Sequence, residues 1–265
     1  MNKNIKKIMD YTKERPLRVF EAFAGYGSQL LALRRLERDF PGQIKVVPVG
    51  FSEIDPSAIK AYKELHGDVR NYGDISKIDW SDVPDFDLFT MSSPCQDFSQ
   101  AGLMKGGEEG SGTRSSLLWE CSRAIEAKRP QYVFFENVSS LVGRKFIKGF
   151  HLWQERLEGF GYKNFANVLD ATDYGVAQHR ERIYMVSILR TEENPEPMYF
   201  FPKPFPLVKR MKDYLETNVD EKYYISDKVL EEFQIEQEED GSDADGAGCG
   251  EGTDGRGAFT QTSLW

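Results

Sequence analysis

Leu17-Arg18-Val19-Phe20-Glu21-Ala22-Phe23-Ala24-Gly25-Tyr26-Gly27-Ser28 begins as a short apolar run and ends in two closely spaced glycines. Leu17 to Phe23 reads as a buried strand, and Gln29-Leu30-Leu31-Ala32-Leu33 begins a helical pattern straight after it. The glycines between them permit a tight strand-to-helix turn in which backbone can approach a ligand closely. By itself such a turn is equally a plain βα connection, so its meaning depends on the rest of the chain.

The unit then repeats. Val46 to Ser52 reads as a second strand, and Pro56 to Leu65 as a helix with proline at its start. Asp87 to Met91 is a further strand, and Ser116 to Lys128 a helix ended by Pro130. Tyr132 to Phe135 is another strand, and Lys145 to Leu157 a helix closed by Gly159 and Gly161. Arg182 to Leu189 completes the set. Apolar strands separated by helices predict an α/β fold with a doubly wound, mostly parallel sheet. Residues 1–16 form an extension ahead of a body at 17–190. Glu192 to Pro206, rich in proline and aromatics, reads as a crossing segment rather than a sheet strand. Met211 to Leu215 and Asp227 to Phe233 read as short helices, and 235–265 as a disordered, acidic, glycine-rich tail.

Composition narrows the class. The 265 residues are 40% hydrophobic and 29% charged, as in a soluble globular protein. No apolar run has the length of a membrane span, and no hydrophobic segment follows the lysine-rich start, so the expected compartment is cytoplasmic. Cys95, Cys121 and Cys249 lie far apart with no CxxC spacing, which excludes a disulfide framework and gives no metal site. In that compartment the sequon Asn137-Val138-Ser139 is incidental. The net charge of −9 looks unfavourable for nucleic-acid binding, yet 236–254 holds eight acidic residues and no basic one. The body is nearly neutral, so electrostatics neither support nor exclude a nucleic-acid substrate.

In an open parallel sheet, ligands bind at the carboxyl ends of the strands. Phe23-Ala24-Gly25-Tyr26-Gly27 lies at the first such end. Glu53 lies at the second and could take both hydroxyls of a ribose, or simply cap a helix. Asp74, in Gly73-Asp74-Ile75, could accept from an adenine amino group, or form a plain Asx turn. Together they outline an adenosine pocket without a P-loop or a full GxGxxG, which favours S-adenosyl-L-methionine over a dinucleotide. Cys95 follows the strand ending at Met91 and precedes a glycine-rich loop, the position of a nucleophile, although a buried cysteine can equally be inert core. Glu136-Asn137-Val138 follows the neighbouring strand. A thiol and a carboxyl group there suit an electron-poor ring, which the thiolate attacks while the acid serves a ring nitrogen. Arg180 and Arg182, two apart on an extended segment, point the same way, a pattern also found on solvated edge strands.

In order and approximate spacing, Phe23-Ala24-Gly25-Tyr26-Gly27, Pro94-Cys95-Gln96, Glu136-Asn137-Val138 and Gln178-His179-Arg180-Glu181-Arg182 resemble the motifs of the DNA cytosine-5 methyltransferase family. The resemblance covers about Leu17 to Leu189 and implies the Rossmann-like fold of S-adenosylmethionine-dependent methyltransferases. It further implies that Cys95 attacks C6 of a flipped cytosine while Glu136 holds N3 and the exocyclic amine. Arg182 would contact O2 of the base, and Arg180 would support the nucleotide and the cysteine loop. Phe23, Ala24, Gly25, Gly27, Glu53, Asp74, Ile75 and Leu117 would line the cofactor pocket, with Pro94 and Gln96 at the substrate. The resemblance implies double-stranded DNA as substrate, no metal, and a setting in restriction-modification. Residues 191–234 resemble the opening of a target-recognition region, while the family's closing motifs are not found. The chain is therefore expected to be C-terminally incomplete, with a second polypeptide as a candidate partner. A partner-dependent or inactive remnant, and a transfer-RNA cytosine as substrate, are the alternative readings.

Overall fold

The computed structural model describes residues 11–92 and 117–226, apart from the side chain of Trp119. Contacts divide the chain into two units, Met1–Leu207 and Val208–Trp265.

The first unit is built on a six-stranded sheet of order β2-β1-β3-β4-β6-β5. Its strands are β1 (Leu17–Ala22), β2 (Val46–Ser52), β3 (Leu88–Met91), β4 (Tyr132–Val138), β5 (Tyr162–Asp170) and β6 (Glu181–Leu189). The first four pair in parallel, and β6 runs antiparallel to both β4 and β5. The helices are α1 (Ser28–Asp39), α2 (Pro56–His66), α3 (Leu117–Lys128) and α4 (Ile147–Gly159). In α2 Pro56 occupies the first turn, where its missing N–H costs nothing, and the Asp55 side chain caps Ala58.

β1 explains why both sheet faces are covered. Leu17 and Val19 enter one apolar cluster with Leu30 of α1 and Tyr62 of α2, whereas Phe20 and Ala22 enter a second with Phe89, Phe135, Ile125 of α3 and Trp153 of α4. Alternate side chains leave opposite faces of a strand, so a strand between two helical layers must be apolar throughout. Two residues of β1 depart from this: Arg18, paired with Asp87, and Glu21, a buried carboxyl group with hydrogen bonds from Leu30 and Tyr62. Tyr11 packs with the first cluster, so that part of the extension ahead of residue 17 belongs to the same body.

The mostly parallel doubly wound sheet agrees with the sequence pattern, with two corrections. β5 is not signalled by the sequence: Tyr162-Lys163-Asn164-Phe165-Ala166-Asn167 neither alternates cleanly nor runs apolar, and its extended form comes from pairing with β6 along nine residues. β4 runs through Val138 instead of stopping at Phe135, because β6 continues its ladder beyond the end of β3. The crossing segment of residues 192–206 is irregular, touching the body through the isolated Tyr174–Phe205 bridge.

In the second unit, residues 208–226 form two short 3-10 turns, Met211–Tyr214 and Glu221–Tyr223, with nearly every side chain exposed. The short helix expected at Asp227 to Phe233 and the tail at 235–265 lie outside the described residues.

Candidate active site

Among the described residues, Glu53 follows β2, Glu136 lies near the end of β4 before Val138, and Arg182 lies at the start of β6. After β1 the chain turns through Phe23, Gly25 and Gly27, with φ of +55°, +56° and +80°. A left-handed phenylalanine is strained by about 1–3 kcal/mol, which a fold keeps only where neighbours over-determine it. Here the neighbours are visible. Gly25 N–H donates to Glu53 at 2.8 Å, Ala24 N–H to the Ser52 carbonyl at 3.1 Å, and Gly27 N–H to the Ala24 carbonyl at 2.8 Å.

Glu53, directly after β2, also accepts from its own next two amides, Ile54 and Asp55, at 2.8 and 2.9 Å. Asn71 clamps its backbone from the other side, donating to the Glu53 carbonyl at 3.0 Å and accepting from the Glu53 N–H at 3.2 Å. Ser52 Oγ donates to the Gly73 carbonyl at 2.6 Å and so ties in the next loop. Asp74 in that loop caps a 3-10 turn, accepting from Ser76 N–H at 3.0 Å and Ser76 Oγ at 2.8 Å. Those bonds from Ser76 hold its carboxyl below the ordinary range. Ile75 is buried, while Leu117 packs at the start of α3 against the same cluster.

The room at Gly25 fits an adenosine-bearing cofactor. A Cβ on Gly25 would meet no described residue within 4 Å, so on that side the backbone faces room among the described residues. At Gly27 the reverse holds: a Cβ would lie 2.5 Å from His66 Nε2 and 2.7 Å from Tyr62. His66 Nε2–H donates to the Tyr26 carbonyl at 3.1 Å and braces the turn from below. Burial pushes its pKa down, against the opposing effect of the Tyr26 and Gly27 backbone. Beneath the turn, Glu21 accepts from Leu30 N–H at 3.0 Å and Tyr62 Oη–H at 2.7 Å. Burial raises the Glu21 pKa, and its two hydrogen bonds only partly offset that.

The second half of the site lies across β3, β4 and β6. Glu136 sits on β4 opposite Tyr184 of β6, and Arg182 is its diagonal neighbour, opposite Val138. Arg182 Nε lies 3.2 Å from Glu136 Oε1, with both side chains about four-fifths covered. Ser92, just past β3, donates to Glu136 Oε2 at 2.9 Å and accepts from Gln29 Nε2 at 3.1 Å. Burial and the Glu136 charge raise the Tyr184 pKa, and the charges of Arg182 and Arg180 oppose this. The Arg180 side chain is exposed. Its anchorage is through its backbone N–H, 3.1 Å from Asp170 Oδ1. Cys95, Pro94 and Gln96 lie outside the described residues.

The structure thus brings Gly25 together with Glu53, and Glu136 together with Arg182, while Asp74 and Arg180 are held by other partners. Sequence reasoning missed Glu21, Gln29, Tyr62, His66, Asn71 and Ser92. Only Glu21 carried a signal, as a lone acid inside an apolar strand; the others become legible once strand ends are superposed.

Residues 17–257 match the profile of C-5 cytosine-specific DNA methylases. The chain is 37% identical to the type II methyltransferase M2.ScrFI of Lactococcus lactis subsp. cremoris, over 84% of this chain and 74% of that protein. It is also 37% identical to the type II methyltransferase M.NlaX of Neisseria lactamica, over 88% of this chain and 70% of the relative. Among solved structures, S. pombe Dnmt2 methyltransferase superposes with a TM-score of 0.64 at 23% identity, over 82% of this chain and 65% of that one. The Entamoeba histolytica methyltransferase EhMeth gives 0.61 at 20% identity, over 81% and 64%. The chain spans just under two thirds of these two solved proteins, which share its fold. With the sheet, the glycine turn and the profile in agreement, the chain belongs to the C-5 cytosine-specific DNA methylase family, whose members take their methyl group from S-adenosyl-L-methionine.

Proposed function

We propose that this chain methylates C5 of cytosine in double-stranded DNA through a covalent bond between Cys95 and C6 of a base swung out of the helix. The observation that carries the reading is the Glu136–Arg182 pair beside Ser92, three residues before Cys95. Ser92, the last described residue ahead of Pro94-Cys95-Gln96 in the sequence, donates to that largely covered carboxyl group.

Cytosine C5 is too weak a nucleophile to attack a methyl sulfonium unaided. Addition of the Cys95 thiolate to C6 breaks the C5–C6 double bond and sends its electrons toward N3 and O2. Glu136, once it has taken up a proton, would donate it or a hydrogen bond to N3, and Arg182 would face O2, so the developing charge is met as it forms. With S-adenosylmethionine bound, C5 would take the methyl group from its sulfonium, whose sulfur would be left as a thioether. Loss of the C5 proton to a base expels the thiolate and restores the ring. A thiol of ordinary pKa, about 8.5, is only a few per cent ionised at neutral pH, so positive potential at the site aids the first step. Unstacking the base costs a few kcal/mol, about the energy of one or two good contacts in the pocket.

The cofactor's contribution is an electrophilic methyl group. Phe23, Ala24, Gly25 and Gly27 would cradle it, Glu53 would accept from the ribose hydroxyls, and Asp74, Ile75 and Leu117 would border the adenine. Pro94 and Gln96 would shape the turn at the base. Arg180, anchored through Asp170, would face the nucleotide backbone. The exposed side chains of residues 208–226 supply surface for the DNA or for a second polypeptide.

DNA containing 5-fluorocytosine tests the chemistry, since it has no C5 proton to lose and stays attached. The wild-type chain with S-adenosylmethionine should give a denaturation-stable adduct. Cys95→Ser should give none while binding the cofactor normally. Formation of 5-methylcytosine by Cys95→Ser would overturn the reading, and activity on transfer RNA but not DNA would replace the substrate. Adding the product of an adjacent reading frame tests the need for a second polypeptide.

A further inference from the structure

The acid at the centre of the proposed reaction is held by a line of side chains that crosses four elements. Ser28 Oγ–H donates to Gln29 Oε1 at 3.0 Å, Gln29 Nε2–H to Ser92 Oγ at 3.1 Å, and Ser92 Oγ–H to Glu136 Oε2 at 2.9 Å. Arg182 closes the line at Glu136 Oε1. The residues come from the first turn of α1, the end of β3, and strands β4 and β6, up to 63 positions apart for a single bond.

The direction of each bond follows from chemistry. Gln29 presents its amide N–H to Ser92, so the serine oxygen accepts and its own hydrogen is directed at Glu136. A carboxyl group turns easily about its last torsion, where the preference is broad and two-fold. Here Arg182 holds one oxygen and Ser92 the other, leaving little freedom. The same line begins at the helix that opens from the Gly25–Gly27 turn. A shift of α1 when that turn is loaded would pass through Gln29 and Ser92 to the carboxyl that meets the base.

We propose that Ser92 and Gln29 are positioning residues for Glu136, tying the orientation of the acid to the helix that starts at the cofactor turn. The proposal rests on the reading of Glu136 as the group that meets the cytosine. Neither residue need touch substrate or cofactor; both act through Glu136.

The test measures turnover on unmethylated PCR-amplified DNA and, separately, S-adenosylmethionine affinity by calorimetry, for wild type, Ser92→Ala, Ser92→Thr, Gln29→Leu and the double variant Gln29→Leu/Ser92→Ala. A hydrogen bond to a charged group supports a loss of about tenfold to a hundredfold in kcat for Ser92→Ala. Its cofactor affinity should stay within about twofold of wild type, since the transition-state contact alone is affected. Ser92→Thr keeps the hydroxyl and should recover most of the rate. Gln29→Leu should lose less than Ser92→Ala, and the double variant should be no slower than Ser92→Ala, because both changes cut one line. Wild-type kcat in Ser92→Ala, equal losses in Ser92→Ala and Ser92→Thr, or strictly additive losses in the double variant would each overturn the proposal. A wild-type chain that binds cofactor but transfers no methyl group to any DNA would instead sink the reading of Glu136, and the positioning role with it.

Discussion

Replacing Gly27 with alanine separates the two duties of the glycine turn. The residue sits at φ +80°, a conformation that costs an L side chain about 1–2 kcal/mol. Its new methyl would stand 2.5 Å from His66 Nε2 and 2.7 Å from Tyr62 Cε2, below any normal contact. The rings cannot retreat freely. Tyr62 stacks on Phe51 at 3.8 Å between centroids and donates to buried Glu21, and His66 is tied to the Tyr26 carbonyl. Overpacking of that kind adds about 1–3 kcal/mol. For a body of this size the combined loss corresponds to a fall of roughly 5–15 °C in melting temperature. Gly25→Ala makes the control, because φ is +56° but its Cβ meets no described residue within 4 Å. It should lose only the backbone strain, about 1–2 kcal/mol, while placing a methyl where the cofactor would approach. Thermal unfolding followed by circular dichroism, with calorimetric titration of S-adenosylmethionine, reads both effects. Gly27→Ala should be mainly a stability variant and Gly25→Ala mainly a binding variant. Equal melting temperatures for the two would refute the steric argument at Gly27, and wild-type affinity in Gly25→Ala would remove the cofactor from that space.

Two buried or anchored carboxylates give pH-dependent expectations. Burial raises the folded pKa of Glu21 above its ordinary 4.5, so its stability cost is absent below that value and grows as pH rises through the raised one. Glu21→Gln, which can accept from Leu30 N–H and donate to Tyr62, should flatten that slope in urea unfolding between pH 4.5 and 8. A parallel slope in the variant would place the titration elsewhere. Asp170 behaves oppositely. Burial works to raise its pKa, but hydrogen bonds from the Thr172 and Arg180 backbone outweigh it and hold the group below its usual 3.8. Its contribution is present above that value and lost as pH falls through the lower folded one. Asp170→Ala should therefore cost about 1 kcal/mol at pH 7 and progressively less below about pH 3.8. A deficit that persists at pH 2 would show that packing, not the carboxylate, matters there.

The parallel part of the sheet was legible because strands covered on both faces must be apolar, as Val19-Phe20 and Val133-Phe134-Phe135 are. Glu53 could be placed at the end of β2 by counting from Gly27, and Glu136 by its position after an apolar run. The network around them was not legible. Nothing local marks Asn71 as the clamp of Glu53, or Ser92 as a donor to a carboxyl 44 positions on. Asp74 illustrates a different limit: its residue type permits both an Asx turn and a ligand contact. The structure occupies Oδ1 with Ser76 and brings Lys77 to 3.5 Å from Oδ2.

The strand that sequence reasoning missed is what makes the acid–arginine pair possible. Glu136 and Arg182 lie on one face because β6 runs antiparallel to β4, with Glu136 opposite Tyr184 and Val138 opposite Arg182. A slip of one residue would send every β6 side chain to the other face and separate the pair. Among the described residues β3 stops pairing with β4 at Phe135, so Glu136 to Val138 pair only with β6. The second guide is β5, paired with β6 from Tyr162–Leu189 to Asp170–Glu181. Ser187 Oγ donates to Asn164 Oδ1 at 2.7 Å within this ladder, in a buried position where a slipped register would leave both groups unpaired. Asn164, one of the polar residues that disguised β5 as a non-strand, therefore helps lock the alignment that puts Arg182 against Glu136. The unpromising composition of β5 follows from this role. A polar register pin such as Asn164 makes a strand depart from the apolar pattern by which buried strands are recognised.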